Sequence, residues 1–208
     1  MAVKDIFESV LKFDEAGVMA LVKAEIDSGT DTGVILNQGL ISSMDEVGKK
    51  FSDGDLFVPE MLRAAMAMKA GLEILKPYLS DGQATSKGTI VIGTVKGDLH
   101  DIGKNLVSMM MEGAGFNVID LGVNVDADKF VQTAAEKGAK IVALSALLTT
   151  TMPAMQTTIS AIKNAGMGVK IVVGGAPVSQ TFADQIGADG YSDDAPGAVE
   201  LARKLIEA

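Results

Sequence analysis

The sequence predicts an α/β protein in which a helical N-terminal half precedes a doubly wound parallel sheet. Three observations predict it. Apolar residues recur at three- and four-residue spacings up to about Leu79, the signature of amphipathic helices. From Thr89 onward, strand-like and helix-like stretches alternate, the pattern of βα units. The runs Ile90-Val91-Ile92, Ile141-Val142-Ala143-Leu144 and Ile171-Val172-Val173 lack polar alternation, as parallel strands covered on both faces do.

The helices are read in order. Val3 to Phe13 and Ala16 to Ile26 give the first two. Thr30 or Asp31 can cap a third through Ile35, Leu36, Leu40, Ile41, Met44 and Val47, ending before Ser52-Asp53-Gly54. A fourth starts at Val58-Pro59, where proline is tolerated in the first turn, and runs through Met61, Leu62, Met66, Leu72 and Leu75 to Pro77. Four helices on short connections predict an antiparallel bundle over residues 1–79. The polar stretch Ser80–Lys87 reads as a linker, with an α/β domain over 88–208.

Strands are expected at Thr89–Thr94, Asn117–Asp120, Lys140–Leu144, Lys170–Val173 and Asp189–Tyr191. Helices are expected near Lys104–Glu112, Ala127–Lys137, Pro153–Asn164, Ser179–Gln185 and Ala195–Glu207. Five such units predict a five-stranded, Rossmann-like parallel sheet in the order 2-1-3-4-5.

Composition narrows the function. The chain has no cysteine, which excludes disulfides, thiolate metal sites and a thiol nucleophile. The net charge of −9 is spread evenly: nine basic and fourteen acidic residues over 1–87, nine and thirteen over 88–208. Without a basic tract, and with seven Phe and two Tyr, nucleic acid is not an expected partner. No apolar run reaches the roughly eighteen residues of a spanning helix. The start MAVKDIFESV lacks the basic and apolar regions of a leader, so a cytoplasmic location is expected.

In an open α/β sheet, ligands bind beyond the carboxyl ends of the strands, where strand order reverses. Here that crevice is lined by Lys96–Asn105 after strand 1, Ser145–Thr151 after strand 3 and Gly174-Gly175-Ala176 after strand 4. His100 is the sole histidine, so no site built from several imidazoles is possible. A lone histidine also serves as an ordinary structural residue. Asp98, two residues away, can accept the far ring N–H and strengthen the other nitrogen as a metal donor, or it can cap a helix. One protein ligand backed by an acid suits a metal whose other positions a macrocycle fills. Gly97 and Gly103 let the backbone approach a bulky ligand, and Gly174-Gly175 also reads as a tight turn. The glycine spacing makes neither a dinucleotide fingerprint nor a phosphate-binding loop.

The order Asp98-x-His100-x-x-Gly103, then Ser145-x-Leu147, then Gly174-Gly175 resembles the cobalamin-binding signature of methionine synthase and related corrinoid proteins. The longer run Thr94–Asn105 is similar to the methyl-carrier proteins of anaerobic methyltransferase systems, and the similarity covers nearly the whole chain. The resemblance implies a cobalamin or related corrinoid, shuttling between methylcob(III)alamin and cob(I)alamin. It would be bound base-off, with His100 as the cobalt ligand in place of the cofactor's own base. It makes Asp98 the acceptor behind His100 and Thr151 the hydroxyl linked to Asp98, and sets Gly97, Leu99, Asp101, Gly103 and Leu147 around the corrin. Ser145, Thr149, Gly174 and Gly175 would hold the buried nucleotide tail, with Tyr191 and Ala195 nearby. The helical half would cap the methyl-bearing face through Phe51 and Val58 and swing aside about the linker. Asn37 stands where the family leads one to expect an acid, and the Met61–Met68 stripe also reads as bundle core.

The implied function is a non-autonomous carrier in one-carbon metabolism. It would take a methyl group from a substrate-specific corrinoid methyltransferase and give it to a second methyltransferase acting on tetrahydrofolate or coenzyme M, with a reductive activating protein as a further partner. An adenosylcobalamin-dependent mutase subunit shares the Asp-x-His-x-x-Gly pattern, but the helical half argues against it. A cobalamin-binding sensor would need an output module, for which no residues remain. A phosphorylation receiver needs an aspartate ending strand 3, where this chain has Leu144-Ser145-Ala146.

Overall fold

Residues 2–79 and 87–207 are described by a computed structural model, and the chain divides into two compact units. One comprises Met1–Thr85 with Glu112–Gly115; the other comprises Ser86–Met111 with Phe116–Ala208. The stretch read as a linker, Ser80–Lys87, lies outside the described residues except for Lys87.

The first unit contains α1 (Ala2–Leu11), α2 (Glu15–Asp27), α3 (Thr32–Val34), α4 (Ser42–Ser52) and α5 (Val58–Leu75), then a 3₁₀ turn over Lys76–Tyr78. Ile6, Val10, Val18, Val22, Leu40, Met44, Val47, Met61, Met68 and Leu75 form its interior. Met61 and Met68 are therefore bundle core, while Met66 is half exposed. Of the two expected caps Asp31 serves, accepting the Val34 N–H at 3.0 Å, and elsewhere Asp14 accepts the Gly17 N–H at 2.9 Å and Glu60 the Phe57 N–H at 2.8 Å. A Cβ on Gly71 would lie 2.7 Å from Val18 Cγ1, so the Val18 side chain of α2 packs directly onto the α5 backbone.

The expected third helix is interrupted. Between α3 and α4, Ile35–Ile41 forms a π-helical stretch, in which the Ser42 hydroxyl donates to the Asn37 carbonyl at 2.7 Å. Gly39 sits in the widened turn, where a Cβ would come within 3.2 Å of Ile6. The apolar spacing does not distinguish such a turn from a regular helix, because both bury Ile35, Leu40, Ile41 and Met44.

In the second unit the strands are β1 (Thr89–Thr94), β2 (Asn117–Asp120), β3 (Ile141–Ser145), β4 (Lys170–Gly174) and β5 (Gly190–Tyr191). All pairings are parallel, in the order β2-β1-β3-β4-β5. The helices are α6 (Ile102–Gly113), α7 (Ala127–Glu136), α8 (Met152–Asn164), α9 (Gln180–Ile186) and α10 (Ala195–Glu207). Inward residues of alternate parity, Val91, Val142, Leu144, Ile171 and Val173, join Phe130, Met155, Ile159 and Ala183 from α7, α8 and α9 in one core. The opposite face is left to α6 and α10: Cβ atoms at Gly88 and Gly190 would meet Ile206 and Leu201 of α10. Right-handed crossovers demand this split, because β1→β2 and β2→β3 run across the sheet in opposite directions. Among the described residues, no helix is long and apolar enough to cross a membrane.

Candidate functional site

β1 ends at Thr94, and the chain turns through Gly97, whose φ of +85° favours glycine. This turn directs Asp98 inward, where it is fully buried. Its Oδ1 accepts from the His100 backbone N–H at 3.0 Å and lies 2.8 Å from His100 Nδ1. Its Oδ2 accepts from the Leu147 and Leu148 N–H groups at 2.8 and 3.2 Å. The Thr151 hydroxyl lies 2.7 Å from the same Oδ2 and 2.8 Å from the Leu148 carbonyl; its single proton goes to the charged acceptor.

Burial pushes the Asp98 carboxyl up. The Thr151 hydroxyl, the His100 and Leu147 N–H groups and the His100 ring outweigh that and hold it well below the usual carboxylate range. Asp98 is therefore an anion at neutral pH, and a carboxylate only accepts. His100 Nδ1 then carries a proton toward Asp98, and Nε2 is the ring nitrogen that Asp98 does not engage. The His100 side chain is 49% exposed. Asp98 does not cap α6.

The strand order brings Asp98, His100 and Thr151 together from loops fifty residues apart in sequence. Leu99, Leu147 and Ile102 are exposed apolar side chains on the same two loops and the start of α6. Asp101 holds the first turn of α6 through the Asn105 amide at 3.1 Å. Thr149 lies in the β3–α8 loop, and Ser145 and Gly174 are paired at the carboxyl ends of β3 and β4. Gly175 has φ +128°, and a Cβ there would sit 1.9 Å from the Ala146 carbonyl oxygen; any side chain would displace the β3 loop. Tyr191 ends β5 and Ala195 opens α10, buried. Phe51 in α4 and Val58 at the start of α5 belong to the helical unit.

Several supporting groups escaped the sequence reading. The Thr94 hydroxyl donates to the His100 carbonyl at 2.8 Å. Asn124, at φ +54°, accepts the Gly97 N–H at 2.8 Å and donates its own N–H to the Asp98 carbonyl at 2.9 Å. The β2–α7 loop thus clasps the β1–α6 loop. Lys104 on α6 is buried, its ammonium held by Asp120 at the end of β2 and by Asn105 at 2.7 Å. An asparagine ahead of a helix is a visible turn signal, whereas nothing local marks Lys104 as buried.

Two family models described as "B12 binding domain" match, one over residues 2–76 and one over 88–200. Dimethylamine corrinoid protein 1 of Methanosarcina acetivorans is 47% identical over 179 residues, covering 85% of this chain and 84% of that protein. A corrinoid protein of Desulfitobacterium hafniense is 42% identical over 204 residues, covering 96% and 94%. The crystal structure of a methanol:cobalamin methyltransferase complex from Methanosarcina barkeri superposes with a TM-score of 0.90 at 29% identity, covering all of this chain and 80% of that one. With a histidine of fixed tautomer at the switch point and both of its units matched, the chain belongs to the B12-binding corrinoid proteins of methyltransferase systems.

Proposed function

We propose that this protein carries a methyl group between two methyltransferases on a corrinoid bound base-off, with His100 Nε2 beneath the cobalt. The observation that carries the reading is the His100–Asp98–Thr151 arrangement, which engages Nδ1 of a half-exposed imidazole and leaves Nε2 as the nitrogen for a metal. When bound, the corrinoid supplies a cobalt centre that accepts a methyl group from one protein and yields it to the next.

The residues fit such a group. No cluster of three or more metal-ligating side chains exists among the described residues, so a metal on His100 brings its remaining ligands with it. A Cβ on Gly103 would meet no protein atom within 4 Å; packing does not require glycine there, and close approach of a broad planar ligand does. Exposed Leu99, Ile102, Leu147 and Leu148 offer that ligand an apolar seat. Gly97 and Asp101 shape the same loop. Ser145, Thr149, Gly174 and Gly175 are assigned to the nucleotide tail, Tyr191 and Ala195 to its far end, and Phe51 and Val58 to the methyl-bearing face.

The partners in this reading are a substrate-specific methyltransferase, a second methyltransferase delivering to tetrahydrofolate or coenzyme M, and a reductive activating protein. The donor is a methylated small molecule of the kind named for the relatives, a methylamine or methanol. The test is electron paramagnetic resonance of the full-length protein loaded with Co(II) cobalamin. His100→Ala should abolish the nitrogen superhyperfine splitting while retaining some corrinoid through the tail. Splitting that persists unchanged in the variant overturns the assignment.

A further inference from the structure

On α6, Lys104, Ser108 and Met111 are buried and follow one another at four- and three-residue steps, forming a single stripe that faces the sheet. Lys104 reaches Asp120 on β2, and that places the stripe over the face shared with α10. Ser108 is 8% exposed, and its hydroxyl has no hydrogen-bond partner. The omission is unusual in this chain. Ser52, Thr157 and Thr158 are also helical, and each donates to the carbonyl four residues back, at 3.1, 3.2 and 2.8 Å. Ser108 leaves that outlet unused. Among the described residues, Thr133 is the other buried hydroxyl without a partner, but it lies on α7 beside Phe130 and Ala134 on the filled face of the sheet.

The face under α6 and α10 is built differently toward the carboxyl ends of its strands. Strand alternation gives it Ala143, Ser145 and Gly174, small side chains or none, where the opposite face has Leu144 and Val173. Ser108 lies six residues below the start of α6 at Ile102, about 9 Å along the helix axis. A group that starts at the His100 loop and runs down this face over the paired Ser145 and Gly174 comes to the level of Ser108 only with its far end. In a corrinoid nucleotide tail, that end is the base.

We propose that Ser108 is a specificity-determining residue for the lower base of the corrinoid. Its hydroxyl pairs with a hydrogen-bonding group on the edge of the base, and it favours adenine over the alkylated edge of dimethylbenzimidazole. A buried hydroxyl left unpaired penalises the ligand that cannot satisfy it, which is how polar sites discriminate strongly between similar molecules. The inference rests on the base-off reading above.

The test is titration of full-length apoprotein, followed by cobalt absorbance, with three probes: cobinamide, which has no nucleotide; cobalamin, with dimethylbenzimidazole; and the cobamide whose base is adenine. In wild type, both complete cobamides should bind more tightly than cobinamide. Ser108→Ala should lower the ratio of adenine-cobamide to cobalamin affinity by roughly tenfold and leave cobinamide binding unchanged. Ser108→Thr, which keeps the hydroxyl, should restore the ratio, and thermal melts of each variant check that the fold is kept. A ratio unchanged in Ser108→Ala overturns the inference and leaves the carrier reading intact. Wild type that binds all three probes equally overturns tail insertion and the inference with it; wild type that binds none overturns both readings.

Discussion

Two carboxylates stand at the carboxyl edge of the same sheet, and the protein treats them in opposite ways. Asp120 pairs with the ammonium of Lys104, whose side chain is 1% exposed. The two charges neutralise each other, with Asn105 and the Gly122 N–H completing the contacts. Asp98 is fully buried yet meets no cation from lysine or arginine; it is surrounded by N–H groups, a hydroxyl and an imidazole. Because these donors stabilise the charged form without a lysine or arginine partner, the carboxylate keeps its charge and acts on the His100 ring. The first arrangement holds structure, and the second leaves a reactive atom available.

The comparison can be broken most forcefully at Asp120. Asp120→Ala strands a buried ammonium and should lower the unfolding free energy by about 3 kcal/mol in urea titrations. Adding Lys104→Met should recover most of that loss. Corrinoid binding at 25 °C should change little in either variant; a large loss of affinity in the stable double variant would show that the pair belongs to the site.

Asp98→Asn should act the other way round. The amide must turn its NH₂ either toward the Leu147, Leu148 and Thr151 donors or toward the His100 ring, so it cannot satisfy both. Stability should fall by about 2 kcal/mol, and metal affinity at His100 roughly ten- to hundredfold. An unshifted Co(II)/Co(I) midpoint potential would count against transmission through the imidazole.

Thr151→Val sharpens the contrast with the smallest change, removing one donor for about 1 kcal/mol. The sign of its pH dependence follows from the depressed Asp98 carboxyl. A carboxyl whose folded pKa lies below its unfolded value stabilises fully above the unfolded value. That stability is lost as pH falls through the folded one. Acid denaturation monitored by circular dichroism should therefore begin at a higher pH in Thr151→Val than in wild type. Coincident acid transitions would remove Thr151 from the list of groups that hold the charge.

What could be read from the sequence, and what could not, divides along physical lines. Uninterrupted apolar runs at Ile90, Ile141 and Ile171 announce strands covered on both sides, and the expected order 2-1-3-4-5, one of two common for such units, is the one the sheet adopts. That order alone draws the loops after β1 and β3 together, with Asp98, His100 and Thr151 on them. The Leu147 and Leu148 contacts were invisible because backbone N–H groups carry no residue identity. Lys104 misleads for the opposite reason: a lysine reads as surface, and only the tertiary position of Asp120 draws it inward. The widened turn at Ile35–Ile41 keeps the same residues inside as a regular helix, so the apolar pattern left no trace of it. Ser108 is an ordinary helical serine until its neighbours fail to offer it a partner.

Gly175 has a consequence for how this gene can change. The space for a side chain there is already filled by the Ala146 carbonyl oxygen, so the position tolerates a hydrogen and nothing larger. Every nucleotide change at the first or second place of a glycine codon installs an atom at that spot or ends translation. Third-place changes are silent. Exposed neighbours such as Thr181 and Gln185 can drift through many residues in a laboratory population under selection for function, while codon 175 should accumulate only synonymous changes.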